Sequence, residues 1–148
     1  MNHNKESVDL GKVHFEVEFV APELAEYSRL ITNIGWGNVK ADMAKTALQN
    51  SLFHVVIRHE NELIAMGRVI GDGALFFYIQ DVIVAPDFQG QGLGKLVMSH
   101  IENYLAKEVQ AGATIGLFAA KGKESFYFPW GYRERDGDTL GKGMCKFL

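Results

Sequence analysis

From Val13 to Val20 apolar and polar residues alternate, with Val13, Phe15, Val17 and Phe19 set against His14, Glu16 and Glu18. A period of two predicts a half-buried first strand. Pro22 then suits the first turn of a helix and Glu23 its positive end. Leu24, Tyr27, Ser28, Ile31 and Ile34 recur at helical spacing until the Gly35-Trp36-Gly37 break. A second helix from about Lys40 to Gln49 is expected to bury Met43, Ala44, Ala47 and Leu48. Phe53 to His59 and Glu62 to Ile70 read as strands joined at Glu60-Asn61 in a hairpin. Gly71-Asp72-Gly73 leads into Leu75 to Ala85, apolar on both faces as in a sheet centre covered on each side.

The second half predicts a helix from Gly92 to Lys107, a strand over Ala113 to Ala119 and a helix over Lys121 to Trp130. Strands at Tyr132 to Arg135 and Lys142 to Leu148 would close the sheet. Several consecutive strands have no helix between them, which excludes an alternating doubly wound fold. The expected class is α/β in the broad sense (α+β): a mixed, largely antiparallel sheet of about six to seven strands with helices on both faces. Residues 1–12 are polar and read as a flexible N-terminal segment, and residues 13–148 as a single domain.

Composition narrows the function classes. At 148 residues, 47% apolar and 22% charged, the chain can build a real core and does not resemble a disordered segment. A net charge of −3 gives no basic footprint, so no nucleic-acid partner is expected. No apolar run approaches a membrane span, and the polar start lacks a signal peptide's apolar stretch. With Cys145 as the only cysteine no internal disulfide can form, and the expected location is cytoplasmic. Cys145 itself is expected to be a small buried residue. The histidines show no metal-ligand spacing, so no metal is expected, and His100 is read as a structural residue on a buried stripe.

The chemistry is concentrated in residues 81–98, DVIVAPDFQGQGLGKLVM. A strand ends near Pro86, and Gly90, Gly92 and Gly94 lead into a helix. Such a helix start offers unpaired N–H groups and a positive dipole end to an anion. Two phosphate loops fail on counting. G-x-G-x-x-G from Gly90 ends on Lys95, and G-x-x-x-x-G-K-[ST] ending at Gly94-Lys95 would start on Gln89 and finish on Leu96. Q-x-x-G-x-G does fit, at Gln89, Gly92 and Gly94.

That loop, with the V-x-P strand end before it, resembles the pyrophosphate loop of the GNAT N-acetyltransferases. A second motif agrees: in Phe126-Tyr127-Phe128-Pro129-Trp130-Gly131-Tyr132, Tyr127 lies four residues before a glycine–aromatic pair, as does a tyrosine common in that family. The resemblance covers the chain from about Val13 onward. It implies acetyl-CoA (coenzyme A) as cosubstrate, its pyrophosphate held by Gln89, Gly90, Gln91, Gly92, Leu93, Gly94 and Lys95. It also implies that the pantetheine arm pairs with the backbone of Val82, Ile83 and Val84 like an added strand, with one N–H there serving the oxyanion. Where many relatives carry a cofactor-contacting asparagine before the tyrosine helix, Ala119-Ala120-Lys121 stands instead.

The implied reaction is direct attack of an amine on the thioester, and Tyr127 is the implied acid for the leaving sulfur, since a phenol is protonated at neutral pH. Asp81, a carboxylate in an apolar strand, is a candidate base if burial raises its pKa, and equally a hydrogen-bonding anchor. Trp36, His54, Arg68, Tyr78 and Met144 are candidate walls of the amine pocket. Short loops favour a small-molecule amine over a protein N-terminus or lysine. A non-catalytic acyl-CoA sensor is the alternative from another class, and a homodimer is one assembly the resemblance allows.

Overall fold

The computed structural model describes residues 4–148. Among the described residues, six strands make one sheet: β1 (Lys5–Leu10), β2 (Val13–Glu18), β3 (Phe53–His59), β4 (Glu62–Gly71), β5 (Phe76–Val84) and β6 (Thr114–Leu117). Their spatial order follows the chain. Every neighbouring pair is antiparallel except β5 and β6, which are parallel. Helices α1 (Leu24–Asn33) and α2 (Ala41–Gln49) precede β3, α3 (Leu93–Glu108) crosses from β5 to β6, and α4 (Glu124–Tyr127) is a single turn. This is the mixed, largely antiparallel α/β architecture that the hydrophobic pattern predicts. The residues through Leu117 form one compact unit, with the whole sheet, and Phe118–Leu148 form a second.

Alternation along the strands decides which helix covers which face. Val56, Met66 and Ile83 pack with Tyr27, Leu30 and Ile31 of α1 and with Ala44 and Leu48 of α2. The intervening residues point the other way, so Gly67, beside Val55 of β3, meets Val97 and Ile101 of α3. Gly67 permits that approach. A Cβ built there would lie 2.6 Å from Val97 Cγ1 and 2.8 Å from Ile101 Cδ1. Gly67→Ala is therefore expected to destabilise the fold by about 1–3 kcal/mol through overpacking. A thermal unfolding midpoint equal to the wild type would contradict the α3–β4 packing.

Local chemistry fixes the ends of these elements. Glu60 and Asn61 both take positive φ (49° and 67°), the two-residue turn whose twist suits a hairpin. Glu23 and Glu26 form a reciprocal capping box at the start of α1. Glu26 also accepts two hydrogen bonds from Arg58, one of 2.7 Å, which tie α1 to β3. That guanidinium holds the Glu26 carboxyl below the usual carboxylate range.

Several expectations need correction. The polar N-terminal segment is not loose over Lys5–Leu10: β1 pairs with β2 from Lys5↔Glu18 to Leu10↔Val13. An edge strand that buries no side chain fully, only Val8 and Leu10 being half-buried, needs little apolar alternation, and Lys5 pairs with Glu16 at 2.8 Å. The strands expected at 132–135 and 142–148 do not form. Gly137, Gly141 and Gly143 interrupt that stretch, and Leu140, Met144 and Phe147 remain 61%, 90% and 90% exposed, so no apolar face is buried to favour a strand. The expected helix over 121–130 shrinks to α4 and a 3-10 turn over Phe128–Trp130, because Pro129 lacks the N–H a longer helix would use. Met43 of α2 is exposed, as is Cys145. The β5 strand is covered on both sides only from Phe77 onward, Leu75 and Phe76 being exposed.

Candidate active site

Strand β5 carries two ladders of unequal length. On one edge β4 follows it from Phe77 to Val84. On the other, β6 pairs only with Phe76–Ile79. Beyond Ile79, no strand among the described residues pairs with the second edge, so the outward peptide groups of Gln80–Val84 there are left to an added strand-like ligand, apart from Val84 O, which accepts from Gln89 Nε2. Val82, Ile83 and Val84 all lie on this segment.

The ladder with β4 breaks at the same level. Arg68 opposes Gln80 and Met66 opposes Ile83, so Gly67 alone faces both Asp81 and Val82. This is a β-bulge, with Asp81 at φ 54° in the left-handed region. Aspartate tolerates that region better than most side chains. The bulge turns Asp81 onto the face covered by α1, where its carboxylate is buried. Oδ2 accepts from Tyr27 Oη and Arg68 Nε, both at 2.8 Å, and Oδ1 accepts from Gln80 Nε2 at 2.9 Å. Arg68 Nη1 donates onward to Ser51 Oγ at 3.1 Å. Burial, and then the neighbouring Asp81 charge, push the Tyr27 phenol up to about 12, so it remains a donor. A carboxylate with three donors on it serves as an anchor, the second of its two sequence readings, and it ties β5 to α1 and β4.

The loop after β5 begins with a 3-10 turn, Pro86–Phe88. Gln89 Nε2 donates to Val84 O at 3.0 Å, so this side chain fastens the loop to the strand end. Gly90 and Gly92 take φ 77° and 87°, a conformation costly for residues with a Cβ. Gly92 is the N-cap of α3 and offers no side-chain acceptor, and the first turn has no acidic residue. The N–H groups of Leu93, Gly94 and Lys95 are the ones helix geometry leaves without an intrahelical acceptor. A Cβ at Gly90 or Gly92 would meet nothing within 4 Å. The glycines thus free space outside the loop, while buried Leu93 holds the helix start in the core. Unclaimed N–H groups, a positive helix end and open space form a fit for a diphosphate.

The acetyltransferase (GNAT) domain family matches residues 32–147. The chain belongs to the GNAT acetyltransferases. It is 34% identical over 126 residues to the uncharacterized N-acetyltransferase ycf52 of Porphyra purpurea, spanning 82% of this chain and 70% of that one. A ycf52-like protein of Prochlorococcus marinus is 36% identical over 115 residues, spanning 74% and 62%. The crystal structure of a probable acetyltransferase from Staphylococcus aureus superposes with a TM-score of 0.81 at 31% identity, covering 90% of this chain and 99% of that one.

The remaining candidate residues of this GNAT chain fall in different places. His54 and Arg68 are cross-strand partners on the α1/α2 face. His54 Nε2 lies 2.8 Å from Leu48 O, which requires the proton on Nε2, and burial lowers its pKa. Tyr78 lies on β5 between Ile70 of β4 and Gly116 of β6, two residues before Gln80 on the same face. Trp36 is half exposed in the α1–α2 connection, where its backbone N–H donates to Ile31 O. Met144 belongs to the second unit and is exposed. In that unit Tyr127 ends α4, its ring edge-on to Phe126 at 5.0 Å and to Tyr132 at 6.3 Å. His100 is half buried edge-on to Phe19, with its pKa lowered by burial.

Sequence reasoning missed Tyr27, Ser51 and Gln80 as partners of the Asp81 anchor. Periodicity could assign Tyr27 to the core and no further. Regular alternation would put Gln80 and Asp81 on opposite faces, and it fails at the bulge.

Proposed function

We propose that this GNAT acetyltransferase transfers an acetyl group from acetyl-CoA to the primary amine of a small molecule. The observation that carries this reading is the continuity of the open β5 edge at Gln80–Val84 with the unclaimed N–H groups of Leu93–Lys95. The amides of Gly90–Lys95 would hold the pyrophosphate, and the backbone of Val82–Val84 would pair with the pantetheine arm. The bound thioester supplies an activated acetyl group. An N–H on the β5 edge would favour negative charge developing on its carbonyl oxygen.

Two protons must move. Tyr127 is assigned as the donor to the departing sulfur, because a phenol keeps its proton at neutral pH and the family motif coincides with this residue. Asp81, already accepting three hydrogen bonds, is not assigned as the base, and removal of the amine proton falls to water. The short connections of the first unit favour a compact acceptor.

The test is incubation with acetyl-CoA and a panel of small amines, N-terminal peptides and lysine peptides, followed by free thiol. Thiol release with a small amine and not with peptides is expected. Turnover confined to peptides would replace the acceptor assignment, and tight coenzyme A binding without turnover on any amine would replace the enzyme with a sensor.

A further inference from the structure

Asp81 stands where three structural events coincide: β6 has just parted from β5, β4 meets the bulge, and the open edge begins. The residue is in the left-handed region, which costs about 1–3 kcal/mol unless its surroundings over-determine it. The surroundings do so. Its side chain is only 3% exposed, and three donors from three elements converge on it: Tyr27 of α1, Arg68 of β4 and Gln80 of β5. Ser51, between α2 and β3, steadies Arg68 in turn. Tyr27 is 4% exposed and Arg68 8%, so water cannot readily substitute for either partner.

A buried ion pair of this kind is weak as a device for stability, because desolvation offsets most of the attraction, but its directional bonds fix one geometry. The element held here is a change of strand direction. Val82–Val84 follow the bulge immediately, so the orientation of their outward peptide groups depends on the φ/ψ of Asp81. Without the clamp, β5 could regain regular alternation, and that would rotate the edge.

We propose that Tyr27, Arg68 and Asp81 form a clamp that holds the β5 bulge and thereby aims the Val82–Val84 edge at the pantetheine arm. They are positioning residues, acting through the backbone and not on the reacting atoms. This rests on the acetyl-CoA reading and adds to it a division of labour. The glycine loop grips the diphosphate whatever the state of the clamp, while the clamp governs only the arm and the thioester at its end.

The division of labour is measurable with two ligands: coenzyme A, and the same 3′-phosphorylated nucleoside diphosphate without its arm. Asp81→Gly tolerates positive φ but has no carboxylate. It should weaken coenzyme A binding by about tenfold and leave the armless ligand within about twofold of the wild type. Asp81→Asn retains an acceptor and the left-handed tolerance, so it should restore most of the arm-dependent affinity. Tyr27→Phe, which keeps the core ring and removes one donor, should show a smaller loss of the same arm-specific kind even if the glycine variant folds poorly. The acid limb of the kcat–pH profile should be the same in Asp81→Asn as in the wild type.

Equal losses for both ligands would reduce the clamp to general stability and overturn the proposal, as would coenzyme A affinities unchanged in both Asp81→Gly and Tyr27→Phe. An Asp81→Asn enzyme that binds coenzyme A normally but has lost both its rate and its acid limb would make Asp81 a base instead. If the wild type bound neither ligand, the acetyl-CoA reading itself would fail first, a result distinguishable from any failure of the clamp.

Discussion

Gly92→Val should weaken coenzyme A binding by about thirtyfold or more, measured by calorimetric titration. Two costs combine. The residue is at φ 87°, where a β-branched side chain is a strong outlier, so the loop must distort or pay strain. Its Cβ would also enter space that no protein atom occupies within 4 Å, the space assigned to the diphosphate. Gly92→Asn separates the two effects. Asparagine tolerates the left-handed region, so the loop should hold its shape, yet the side chain would still occupy the cradle. A tenfold loss in Gly92→Asn with an unchanged melting curve is expected. Full affinity in both variants would place the diphosphate elsewhere.

Tyr127→Phe should lower kcat by about a hundredfold, with coenzyme A affinity within twofold of the wild type. General acid catalysis contributes about 10²–10⁴ in rate, and phenylalanine removes the proton alone. The ring contacts with Phe126 and Tyr132 survive the change, so loss of packing would not explain a slower enzyme. The readout is steady-state kinetics with the best amine of the panel. An unaltered kcat would remove Tyr127 from the mechanism, and a parallel loss of affinity would make it a binding residue.

The two halves of the candidate site differ in how far the sequence announces them. Gly90, Gly92 and Gly94 are legible because the requirement is local: positive φ and an uncapped helix start leave their mark within six residues. The strands from Val13 to Val84 are legible because each buries at least one face, which forces a period of two or an apolar run. The bulge is not. Asp81 in the left-handed region depends on which residue of β4 lies opposite, and that register joins residues 13 apart in the chain. Tyr27 is further still, 54 residues from Asp81. A tyrosine at a core position of an amphipathic helix gives no sign of where its hydroxyl points.

The errors at the two ends of the chain have the same origin. Apolar pattern is informative only where burial is at stake. Lys5–Leu10 is a strand with little to bury, held by backbone pairing and ion pairs with Glu16 and Glu18, so its polar composition hid it. The segment after Tyr132 has the reverse character: its apolar residues suggested strands, yet Met144 and Phe147 are 90% exposed.

The central claim is that one continuous stretch of backbone, from the β5 edge to the first turn of α3, receives the cosubstrate. Amide-resolved NMR titration with coenzyme A tests it directly, because the groups assigned to the contact are themselves the probes. Saturable shifts should be largest at Gly90–Lys95 and extend to Val82–Val84. Binding that moves other amides and leaves those two segments at their free positions would contradict the account.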